Sequence, residues 1–228
     1  MTTARVIDTQ HLSTLCHEHE REILRFSHDL TGDGRSMERV QREAAKVPFA
    51  EVRVDPAGKF LARLGSGKYV IVMEAQGAAE TAGMLYAARL IHDLCMYDDF
   101  TLWVAIDMHK DLLGPGWLQT LQKGGIQPDC LLLGEPTNLC IKMREDAISG
   151  FPTESHPLVE AAIATYEALF ELPPILRRSA SPTGPIGIPV IGFGPGEEQQ
   201  GAMTRHLLQA AQFYAAFPTM FVEMMKRR

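Results

Sequence analysis

The sequence predicts an α/β domain with a mixed, mostly parallel sheet covered by helices on both faces, and two observations carry that prediction. Val70–Met73 and Leu131–Leu133 are continuous apolar runs rather than alternating ones, the pattern of strands buried on both sides. Amphipathic stretches of helical period separate such runs, so strands and helices alternate along the chain.

The elements follow in order. From about Thr9 to Leu30 the chain reads as one helix, with Leu12, Leu15, Ile23, Leu24 and Leu30 on a partial apolar face. Thr31-Gly32-Asp33-Gly34 breaks it, and Ser36 opens a second helix through about Val47. Glu51–Asp55 alternates as a half-buried strand should. Pro56-Ala57-Gly58 turns it into Phe60–Leu64, and Gly65-Ser66-Gly67 ends that hairpin. After Val70–Met73 comes a helix marked by Met84, Leu85, Ala88, Leu90, Ile91 and Leu94. Leu102–Ile106 is the next strand, Leu118–Lys123 a short helix and Leu131–Leu133 another strand, with Ile141 extending a neighbouring element. Pro157–Phe170 is a long amphipathic helix, Ser179–Gly187 a loop, and Val190–Phe193 the last strand. A final helix runs from about Ala202 to Ala216 and is expected to stop at Pro218. Beyond it, Phe221 with Met220, Met224 and Met225 forms an apolar stretch, read first as core and second as a docking helix.

Composition narrows the function classes. The 228 residues make one sizeable domain, read as a single unit over 1–228, and 46% hydrophobic with 22% charged residues is ordinary for a globular chain. A net charge of −6 without a basic stripe argues against nucleic acid. The four cysteines show no CxxC spacing, and Cys95 and Cys130, set in apolar patterns, read as buried free thiols. No basic leader or membrane-length apolar run is present, from which a cytoplasmic location and no membrane contact are expected. Gly65-Ser66-Gly67-Lys68 lacks the glycine loop of a phosphate site, and no Gly-x-Ser-x-Gly elbow occurs.

Chemistry concentrates at Pro128–Leu139. An apolar strand delivers Glu135 at its C-terminal end, where open α/β sheets hold their ligands, and Pro136 stops the strand there. This stretch resembles a strand end of the dinuclear zinc amidohydrolases, the family of acetylornithine deacetylase, succinyl-diaminopimelate desuccinylase and carboxypeptidase G, where the carboxylate is a metal ligand. Val52–Gly58, Asp98–Leu102, His156–Val159, Gly187–Gly196 and Ala210–Ala216 also resemble that family, in its YgeY-type branch. Together they cover roughly three quarters of the chain in the family's order.

The departures are as ordered as the matches. Where the resemblance implies a His-x-Asp pair after the Val70 strand, the chain reads Glu74-Ala75-Gln76-Gly77. The bridging aspartate falls on Gln76, or on Glu80 if a gap is allowed. The adjacent glutamates expected after the Leu102 strand are His109 and Lys110, and no histidine follows Gly194-Pro195-Gly196. The family's inserted lid, expected near 144–150, is reduced to a few residues.

A catalytic zinc site needs about three protein ligands and an open position, and of the family's set only Glu135 keeps its identity. Lys110, which has no lone pair while protonated, is read as pairing with Glu135 in place of metal charge or as contacting a small acidic or peptide-like ligand. The principal expectation is therefore a non-catalytic pseudoenzyme serving as scaffold or subunit, with a protein partner or a second copy of itself and no cofactor. One alternative is a hydrolase of amide bonds with a rebuilt mononuclear zinc or manganese site on His109, Asp111 and Glu135 beside Asp107. Another is a trimmed, engineered catalytic domain, against which the 11 methionines speak. His17, His19 and His206 read as surface helix residues.

Overall fold

A computed structural model of the chain describes residues 7–31, 36–54, 59–75, 77–107, 116–144, 155–179, 188–195 and 202–228. Eight strands join one sheet: β1 (Glu51–Val54), β2 (Lys59–Leu64), β3 (Tyr69–Ala75), β4 (Phe100–Asp107), β5 (Cys130–Gly134), β6 (Ile141–Arg144), β7 (Leu176–Ser179) and β8 (Val190–Phe193), in the order β1-β2-β4-β3-β5-β8-β6-β7. The centre, β4-β3-β5-β8, is parallel. β1, β2 and β4 pair antiparallel on one side, and β6 runs against β8 on the other.

Side-chain alternation divides the interior into two cores. Ile71, Met73, Leu102, Val104, Ile106, Cys130, Leu132, Ile191 and Phe193 face the larger one. It is shared with α1 (Thr9–Glu18), α2 (Glu20–Leu30), α3 (Ser36–Ala44), α4 (Ala78–Asp93), α6 (Pro157–Phe170) and α7 (Ala202–Lys226). Val72, Trp103, Ala105, Leu131, Leu133 and Val190 face the smaller one, with Leu121 of α5 (Gly116–Lys123). The expected two-sided α/β sheet is present, with its helical cover concentrated on one side.

Local chemistry sets the boundaries. The Asp8 carboxylate accepts from the His11 N–H at 2.9 Å and caps α1. The single helix expected over Thr9–Leu30 is two, because His19 leaves helical geometry at φ −101°, ψ 9°. Pro157 opens α6 and a left-handed Glu171 (φ 56°) ends it. Gly67 is a required glycine, since a Cβ there would lie 2.1 Å from the Asp99 carbonyl carbon. Glu22 ties α2 to the turn after α3 through Lys46 at 2.6 Å and to α4 through Arg89 at 3.3 Å, and the Lys46 contact chiefly holds its carboxyl below the usual range. Burial pushes the Cys16 thiol up to about 12, which suits an inert core thiol.

Five further expectations are corrected. Cys95, expected to be buried, is exposed, because it follows the end of α4 in a left-handed turn at φ 51°. β1 is an exposed edge strand rather than a half-buried one, because no described element covers it beyond β2. Ile141 begins a strand of its own, β6. Ser179 closes a strand, β7, that the composition Leu-Arg-Arg-Ser does not announce; 180–187 lie outside the described residues. α7 continues through Pro218 to Lys226. An interior proline costs about 3 kcal/mol through its missing N–H and ring clash. Burial of Phe217, Phe221 and Val222, each at most 2% exposed, offsets it. Met220, Met224 and Met225 pack against the same core, so the C-terminal stretch is core rather than a free docking helix. No helix among the described residues is long and apolar enough to cross a membrane.

Candidate functional site: a carboxylate clamped at the strand ends

Glu135 leaves the C-terminal end of β5, as the sequence indicates. The chain beyond it is tied to the end of β8. Glu135 donates its N–H to the Phe193 carbonyl at 3.2 Å, and Thr137 its N–H to the Pro195 carbonyl at 3.1 Å. The Thr137 hydroxyl donates to the Gly194 carbonyl and accepts from the Gly194 N–H, both at 3.1 Å. Asn138 and Leu139 sit at φ 52° and 60° to complete this tight return into β6.

The carboxylate folds back over the sheet. It lies on Gly192, where a Cβ would stand 1.7 Å from Glu135 Oε1. Gly192 therefore opens a passage across β8 to β6, whose Lys142 is its register partner. Lys142 and Arg144, two residues apart on one face of β6, both point to the carboxylate. Arg144 grips it with two prongs: Nε donates to Oε1 at 3.0 Å, and Nη2 donates to Oε2. Lys142 Nζ stands 3.5 Å from Oε2, and Arg144 Nη1 donates to the Ser179 hydroxyl at 3.0 Å, joining β7 to the arrangement. Glu135 is 6% and Arg144 5% exposed. A planar guanidinium matched to both oxygens of a buried carboxylate is the strongest form such a pair takes.

Two further acidic residues are buried at this end. Glu74 on β3 is 7% exposed, and Glu80 in the first turn of α4 is 6% exposed and lies against Gly134. Tyr214 of α7 closes the floor, donating its hydroxyl to the Phe193 carbonyl at 2.8 Å. Burial, reinforced by the charges of Glu80 and Glu135, holds that phenol well above its ordinary range. One strand further over, Asp107 ends β4 and pairs with Lys59 at 3.2 Å.

Of the residues singled out in the sequence, the structure brings Glu135 and Glu80 to the strand ends and places Asp107 at the end of β4. Gln76, His109, Lys110 and Asp111 lie outside the described residues, as do 145–154, where the reduced lid is expected. His17 binds the Ser13 carbonyl and His19 pairs with Glu22, both away from this end, while His206 lies on α7. Arg144, Lys142 and Glu74 were not found from sequence. The one available signal was the alternation Ile141-Lys142-Met143-Arg144, two apolar residues inward and two cations on the opposite face.

The described residues do not fit a metal pair. Both oxygens of the Glu135 carboxylate accept from Arg144, so a divalent ion there would stand beside a buried, permanently charged guanidinium. No three His, Cys, Asp or Glu side chains among the described residues converge as a metal-holding group.

Comparison with known proteins agrees with the fold. No protein-family model matches the chain. YgeY of Escherichia coli K12 is 24% identical over 162 residues, which are 53% of this chain and 40% of YgeY. The Legionella pneumophila LapA aminopeptidase superposes at a TM-score of 0.70 with 9% identity, covering 96% of this chain and 75% of that one. Bacillus subtilis YXEP, described as a dinuclear metal binding peptidase of the M20 family, superposes at 0.67 with 9% identity, covering 91% and 99%. In fold, the chain resembles the catalytic domains of these peptidases.

Proposed function

We propose that the chain is a non-catalytic member of the metallopeptidase-like fold, a pseudoenzyme acting as scaffold or subunit in a protein complex. One observation carries this reading. The strand-end carboxylate that the family resemblance makes a metal ligand is neutralised internally by Arg144, with Lys142 beside it. Ligating a metal through Glu135 would require breaking that two-pronged buried pair, a cost of several kcal/mol. The fold then supplies a rigid sheet whose surfaces, rather than its strand ends, do the work.

The test is metal content by plasma mass spectrometry on the purified chain, before and after incubation with zinc or manganese and desalting, together with an assay of N-acyl amino acid hydrolysis. Substoichiometric metal and no hydrolysis are expected. One tightly held ion per chain, lost in Glu135→Gln or His109→Ala, would establish the rebuilt mononuclear site on His109, Asp111 and Glu135 instead.

A further inference from the structure

Among the described residues, β1 is an edge strand that pairs with β2 on one side only. Such an edge presents unpaired N–H and C=O groups on its other side. Its side chains divide cleanly by face. Val52 and Val54 stand opposite Ala62 and Phe60, which belong to the larger core, so both valines lie on the face that the helices cover. The cover stops short of them: Val52 is 51% and Val54 38% exposed. Glu51 and Arg53 stand on the opposite face, where Arg53 pairs with Glu51 and Arg63 reaches Glu51 at 3.4 Å.

This edge is complementary to itself. Consider a two-fold axis through Val52, normal to the sheet, with β1 antiparallel to β1 of a second copy. Val52 then meets Val52, Val54 meets Ala50, and Glu51 meets Arg53 on both sides of the axis. Directly opposite residues share a face. Apolar residues therefore meet on the helix-covered side and opposite charges on the other, with no like-charged pair. The far edge lacks this property, because a two-fold pairing centred on β7 sets Arg177 or Arg178 against its own copy.

We propose that two copies of the chain associate through β1, continuing the eight-stranded sheet across a two-fold axis. The valine strip of each copy completes the edge of the larger core of the other. This names a partner within the scaffold reading and rests on it for its purpose. That reading fails on metal content and this one on mass, so the two failures are distinguishable.

Sedimentation velocity on the full chain is the first test, with a dimer expected at micromolar concentration. Val52→Lys, which places two lysines against each other on the axis, should raise the dissociation constant by at least about tenfold. Arg53→Glu should weaken the dimer, and Glu51→Arg combined with Arg53→Glu should restore it. Because Val52 is exposed, circular dichroism should show unchanged folding. As a second measurement, Val52→Cys with the exposed Cys95 replaced by serine should oxidise to a covalent dimer, whereas Leu172→Cys in the same background should not. A chain monomeric at every concentration, or a dimer indifferent to Val52→Lys, would overturn the proposal.

Discussion

Two carboxylates close neighbouring regions of one sheet, and they are neutralised in different ways. Asp107 at the end of β4 meets Lys59, its direct register partner on the adjacent strand β2, and both side chains remain 14% exposed. Glu135 crosses an intervening strand to reach Arg144 on β6 and is buried with it. The first pair follows from register and joins a compact ammonium to the carboxylate at a single point. The second needs a glycine on the strand between, a planar cation and burial on both sides. The difference teaches where this fold has committed itself: the Asp107 end is adjustable, whereas the Glu135 end is locked.

The largest effect should come from breaking the lock. Arg144→Met leaves the Glu135 carboxylate buried without its main partner and should destabilise the chain by about 3–5 kcal/mol in urea unfolding. Adding Glu135→Leu should return much of that loss, since a buried pair replaced by apolar residues is often neutral. Failure of the double variant to recover would mean that Arg144 acts mainly through contacts other than Glu135.

Gly192→Ala sharpens the comparison from the other side. Its Cβ would overlap Glu135 Oε1, and the displaced carboxylate should cost about 1–3 kcal/mol, as overpacking does. The loss should shrink when Glu135→Ala is combined with it, read from the same unfolding curves. Asp107→Asn gives the smallest expected effect, about 1 kcal/mol, because the pair rests on one ammonium contact rather than a two-pronged grip. A loss as large as that of Arg144→Met would erase the distinction between the two ends.

Much of this architecture was legible in the sequence. The apolar runs at β3 and β5 and the periodicity of α4 and α6 gave element type and order, and the end of the Leu131 strand before Pro136 placed Glu135 at a strand terminus. Two of the failures share one cause, tertiary contacts overriding local preference. Leu176-Arg177-Arg178-Ser179 is a strand because β6 supplies its ladder, and α7 passes Pro218 because Phe217, Phe221 and Val222 are buried by neighbouring elements.

The sequence by itself determined that a carboxylate stands at a strand end in an α/β sheet, since hydrophobic period and proline chemistry are local properties. Only the tertiary structure decided what that carboxylate meets. Arg144 lies nine residues further along, but the two touch only because β8, a distant segment, inserts between β5 and β6 with a glycine at the crossing point. Strand order and register are long-range outcomes of packing, and no pattern within Ile141–Arg144 encodes them.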